Sequence, residues 1–152
     1  MNEYTYISES EYMAMSAFIP LDVFYSDNEV VMGNRMYRKL KTTTYQTIRG
    51  RYEAYKVKND KLNRCAELNN RGVACEKSGD IFGAVEAYEE NISGDCYPAT
   101  HSFDRLCVIY RRVKDYKNEI RVLQKACKVF KLDKYRIRLE KAKELYSKSK
   151  KP

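Results

Sequence analysis

The stretch Ala66–Ile92, AELNNRGVACEKSGDIFGAVEAYEENI, constrains this chain more than any other. Its apolar residues recur three and four apart on either side of Ser78-Gly79-Asp80, which predicts two short amphipathic helices joined by a tight turn. Gly79 supplies a positive φ cheaply where the first helix ends, and Asp80 caps the second by accepting a free backbone N–H. Leu62, Cys65, Leu68, Gly72 and Cys75 form the predicted stripe of the first helix; Ile81, Ala84, Val85, Tyr88 and Ile92 form that of the second.

After a loop at Ser93–Pro98, a related pattern returns about 35 residues on. A helix near Ala99–Arg112 is expected to bury Phe103, Leu106, Cys107 and Tyr110. A turn at Lys114-Asp115 leads to a partner marked by Tyr116, Ile120, Leu123, Ala126, Cys127 and Phe130. A last helix near Lys134–Ser147 carries Tyr135, Ile137, Leu139, Ala142 and Leu145 among bases, and the tail SKSKKP is expected to fray.

Two copies can be aligned on their spacing. The first reads Leu68-x2-Arg71-Gly72-x2-Cys75…Ala84-x3-Tyr88, the second Phe103-x2-Leu106-Cys107-x2-Tyr110…Glu119-x3-Leu123. This resembles the tetratricopeptide repeat, a 34-residue helix-turn-helix unit. Small residues at Gly72 and Ala84 let paired helices approach, and Tyr88 fills the next layer. Glu119 departs from the pattern, standing where a small residue is expected. The resemblance covers about 60–131 and implies an all-α fold: a short antiparallel helix-hairpin array with repeats at 61–93 and 99–130. A capping helix at 134–147 would close it, and 1–60 would be a helical or irregular segment packed on the repeats within one domain.

Residues 1–60 are read on weaker signals. Ser8-Glu9-Ser10-Glu11 can start a helix carrying Tyr12, Met13, Met15, Phe18 and Ile19, which Pro20 stops. Leu21–Tyr25 suits a short extended piece, and Ser26-Asp27-Asn28 a turn. Tyr37, Leu40, Tyr45, Ile48, Tyr52 and Tyr55 recur at helical spacing. They predict a long basic helix, broken near Thr42 or Gly50, in preference to a hairpin.

Charge is blocked along the chain: residues 1–30 carry a net −6, 31–64 +8, 65–100 −5 and 101–152 +11. No apolar run reaches the ~20 residues of a membrane span, and MNEYTYISES lacks a signal-peptide layout. The five cysteines lack metal-ligand spacing, and their odd number fits reduced thiols in a cytoplasm. The single His101 has no nucleophile context, and no phosphate-cradling or metal-binding motif occurs. The expectation is a cytoplasmic, non-catalytic adaptor with no cofactor, no metal and no membrane contact.

The family resemblance implies a peptide or protein partner on the concave face, lined by the first helix of each pair. Asn69, Asn70, Val73 and Lys77 project there from the first copy; His101, Asp104, Arg105, Val108, Arg111 and Arg112 project from the second. Asn can bond an extended backbone and Arg can grip carboxylates in pairs, so an acidic segment suits them. The alternative partner is nucleic acid, met by the Tyr-, Arg- and Lys-rich blocks at 31–64 and 101–152. Self-association through an uncapped end of the array is a third reading.

Overall fold

The computed structural model describes residues 1–93 and 100–152. The remainder of the loop expected at Ser93–Pro98, and the Ala99 start of the following helix, lie outside the described residues. The chain divides into two compact units, Met1–Asn59 and Asp60–Pro152.

The first unit overturns the all-α expectation. It holds three strands, β1 (Tyr4–Ser8), β2 (Glu29–Met32) and β3 (Arg35–Lys41), with β3 in the centre and antiparallel to both neighbours. Met32 pairs with Arg35, so β2 and β3 are joined by the two-residue loop Gly33-Asn34, with Gly33 at φ +63°. A positive φ at the first loop position matches the twist of antiparallel strands, and glycine adopts it without strain. The hairpin therefore replaces the predicted helix over 29–41, and helix begins only at Thr42.

Two further expectations for this unit divide. Ser8 does cap α1 (Glu9–Ala14), its Oγ accepting from the Glu11 N–H at 3.2 Å. The predicted extended piece at Leu21–Tyr25 is instead one helical turn, α2 (Leu21–Phe24). Pro20 sits just before α2 at φ −57°, already set for helix entry.

Ile7, Tyr12, Met15, Ile19, Leu40 and Ile48 make the core of the unit. Arg38, on the core side of β3, ties the sheet to α1 through Glu9 at 2.7 and 2.8 Å, and reaches Asn28 Oδ1 at 3.1 Å. Its guanidinium also lies 4.7 Å from the Tyr12 ring centroid, and the pairing holds the Glu9 carboxyl below its ordinary range.

α3 (Thr42–Ser78) runs without interruption through Gly50, where a break had been expected. No atom lies within 4 Å of a Cβ built at Gly50. Gly50→Ala should therefore raise stability by about 0.5–1 kcal/mol, read as a higher urea midpoint, because alanine loses less chain entropy in a helix.

The second unit contains the later part of α3, then α4 (Ile81–Ile92), α5 (Thr100–Arg112), α6 (Tyr116–Phe130) and α7 (Asp133–Ser149). Two of its turns, between α3 and α4 and between α5 and α6, are alike. Gly79 has φ +83° and Lys114, thirty-five residues later, φ +61°. Asp80 and Asp115 follow with nearly equal backbone angles, and each carboxylate accepts from the N–H three residues on, at 2.9 Å from Gly83 and 3.2 Å from Asn118. The Asp80 and Asp115 amides donate back to the Cys75 and Tyr110 carbonyls, both at 2.8 Å.

Burial repeats with the same offset. Ala84, Ala87, Tyr88 and Asn91 on α4 correspond to Glu119, Val122, Leu123 and Ala126 on α6, and all eight are buried. On the other helices Gly72, Cys107 and Ala142 fall thirty-five apart and are buried in turn. A Cβ on Gly72 would stand 2.5 Å from Tyr88 Cζ, so only glycine lets the Tyr88 ring lie across α3. Three stripe residues of the sequence reading are instead exposed: Leu62, Ile81 and Ile137.

Candidate interaction site

The residues expected to form a groove have two fates. Asn69 is tied into a polar cluster linking three helices. Its Oδ1 accepts from Asn91 Nδ2 at 2.9 Å and from the Ser102 hydroxyl, while Asn91 Nδ2 also reaches Ser102 Oγ at 2.8 Å and the Cys65 carbonyl at 3.3 Å. Asn91 and Ser102 are buried, and satisfied buried polar groups specify how helices pack. Asn69 thus has a packing role that its sequence position did not announce.

Arg105 is likewise engaged, its Nε 3.1 Å from both Glu76 oxygens and a terminal nitrogen 2.9 Å from Oε2. Arg111 grips Glu119 through Nε at 2.9 and 2.8 Å and through a terminal nitrogen at 2.6 Å. The Glu119 side chain is 1% exposed, so the acid in the place of a small residue is a buried carboxylate neutralised by its neighbour helix. Asn70, Lys77 and His101 are exposed and Val73 half-buried; the His101 ring stands edge-on to Tyr88 at 5.7 Å.

Val108, Arg111 and Arg112 are brought together. With Cys107, Glu119, Ile137, Arg138 and Lys141 they line a groove of about 410 Å³ between α5 and α7. Its apolar part is Val108, Cys107 and Ile137, and the last is 67% exposed, unusual for isoleucine inside an otherwise covered helix pair. Burial pushes the Cys107 thiol up to about 12, so it stays protonated near neutral pH and acts as an apolar surface.

The basic groups around the groove differ in freedom. Asp104 bridges α5 to α7 by meeting Arg138 at 3.3 Å and Lys134 at 3.2 Å. Lys141 pairs with exposed Glu144 at 3.2 Å, and Arg112 makes no ion pair among the described residues. Glu119, the only acid among the described residues lining the groove, is spent on Arg111; Arg138 is held by Asp104 and Lys141 by Glu144, which leaves Arg112 as the base without an ion pair among the described residues.

Ile137, Arg138 and Lys141 are additions from α7, which the sequence reading treats as a solvating cap. The available signal was Ala142, thirty-five residues after Cys107, which extends the series of small buried residues onto a third helix.

A comparison with family models, curated proteins and solved structures finds no significant match to the chain. What the structure defines is a mostly helical protein with a small three-stranded sheet. Among the described residues no helix is long and apolar enough to cross a membrane.

Proposed function

We propose that the second unit is a non-catalytic protein-interaction module that binds an acidic, extended protein segment in the α5–α7 groove. The single observation that carries this is the pairing of exposed Ile137 with Arg112, which makes no ion pair among the described residues, beside Arg138 and Lys141, whose partners Asp104 and Glu144 lie outside the groove lining. An apolar anchor from the ligand would cover Ile137 and Val108 while its carboxylates meet Arg112, Arg138 and Lys141. The thirty-five-residue recurrence of turns and buried positions supports the tetratricopeptide-like reading, in which grooves between first-position helices hold peptides. The site lies further along the array than Asn69 and Arg105, which are occupied by internal partners.

The test is an array of extended peptides varying in acidity and in one apolar side chain, probed with the full chain. Acidic peptides bearing an apolar anchor should be retained. The Arg112→Glu/Lys141→Glu variant should lose about tenfold or more in affinity, with helix content unchanged. Equal binding by that variant, or no preference for acidic peptides, would sink the proposal.

A further inference from the structure

The sheet of the first unit has two faces of different chemistry. Alternation along the strands puts Thr5 and Ile7 of β1, with Arg38 and Leu40 of β3, toward the core. The opposite face carries Tyr4, Tyr6 and Ser8 from β1, then Arg35, Tyr37, Lys39 and Lys41 from β3, with Val30 and Met32 from β2. None of these nine side chains is acidic, although the first thirty residues carry six acids and no base.

The arrangement is ordered as well as basic. Tyr6 lies directly across from Lys39, and Tyr37 lies across from Ser8 on one side and Val30 on the other. Lys39 Nζ sits 4.2 Å from the Tyr4 ring centroid. Tyr4 is 37% and Tyr6 46% exposed, and Tyr37 is half-buried. The acids nearby, Asp22, Asp27 and Glu29, share a depression with Tyr4, Val30, Lys39 and Lys41 of this face.

We infer that this outer sheet face binds single-stranded nucleic acid, with bases stacked on Tyr6 and Tyr37 and phosphates met by Arg35, Lys39 and Lys41. Flat rings accept any base and the cations beside them attract phosphates, so the binding is sequence-tolerant and salt-dependent. Strands supply what a helix face lacks here: neighbouring rings held in register on a flat support. The site is independent of the α5–α7 groove and of the ligand proposed for it.

The experiment measures fluorescence anisotropy of labelled oligothymidylate and oligouridylate, each about a dozen residues long, with the full chain at about 50 mM salt. Both strands should bind, and affinity should fall as salt rises. Tyr6→Ala/Tyr37→Ala should weaken binding at least tenfold, Lys39→Glu should weaken it as well, and Tyr6→Phe/Tyr37→Phe should retain it, because stacking needs the ring and not the hydroxyl. No anisotropy change with either strand, unchanged binding by the double alanine variant, or loss confined to Arg112→Glu/Lys141→Glu would overturn the inference. So would phenylalanine variants as weak as the alanine ones. Preference for an acidic peptide over both strands at this face would overturn it too.

Discussion

Gly72→Ala is expected to destabilise the second unit by about 1–3 kcal/mol, the range for forcing extra atoms into a packed core. Two effects oppose each other at this position. Alanine is the better helix former by up to about 1 kcal/mol, which alone would make the variant more stable. Against that, the new methyl would meet Tyr88 at three ring atoms, including Cδ1 at 2.7 Å. Tyr88 is fully buried, with the His101 ring edge-on to it, so the ring cannot swing into solvent to relieve the overlap. The overlap therefore wins. Urea melts followed by helix signal should show the loss in Gly72→Ala and a gain in Gly50→Ala, although both are single methyl additions to α3. In a Tyr88→Leu background the Gly72→Ala cost should shrink by about 1 kcal/mol or more, since contacting residues couple. A Gly72→Ala protein as stable as the parent would show that α3 and α4 are not held at this separation.

Arg111→Ala is the second large effect, expected at about 3 kcal/mol. Removing one partner of a buried pair leaves the other charge uncompensated, and that penalty runs to about 3–5 kcal/mol. Arg111 keeps a third of its side chain in water, which places the cost at the lower end. Glu119 has no such relief, since α6 presents it inward between Val122 and Leu123, both fully buried. The double variant Arg111→Met/Glu119→Leu should recover most of the loss, because an apolar pair of similar volume removes the desolvation cost at both ends. By contrast, Arg49→Ala breaks only the exposed Arg49–Glu53 pair at 2.9 Å and should change stability by less than about 0.5 kcal/mol. Thermal melts of the four proteins decide the point. A mild Arg111→Ala together with no recovery in the double variant would mean that Glu119 does not depend on this partner.

The helical half of the chain was legible because its signals are local and agree. Stripe spacing, Gly79, the Asp80 cap and the Lys114-Asp115 turn all point to the same hairpins, and Phe103, Leu106, Cys107 and Tyr110 are buried as expected. The sheet was missed because helical spacing genuinely begins at Tyr45 and continues through Ile48 and Tyr52, and Tyr37 and Leu40 extend it backwards by accident. The opposing signal was present in Val30-Val31-Met32-Gly33-Asn34, two β-branched residues before a Gly-Asn loop. The site was harder to read. Whether an arginine is free or spent depends on what lies across from it, and Glu76 opposite Arg105 and Glu119 opposite Arg111 are set by packing between helices, which sequence order does not display.

The twin turns have a consequence for how this half of the molecule could change. Lys114 holds the same left-handed backbone as Gly79, and the carboxylate after each closes the next helix in the same way. The two connectors are therefore interchangeable parts: either segment could be transplanted into the place of the other and would meet helix ends of the same geometry. Duplication of one hairpin could lengthen such an array without inventing a new joint, and only the residues between joints would need to diverge.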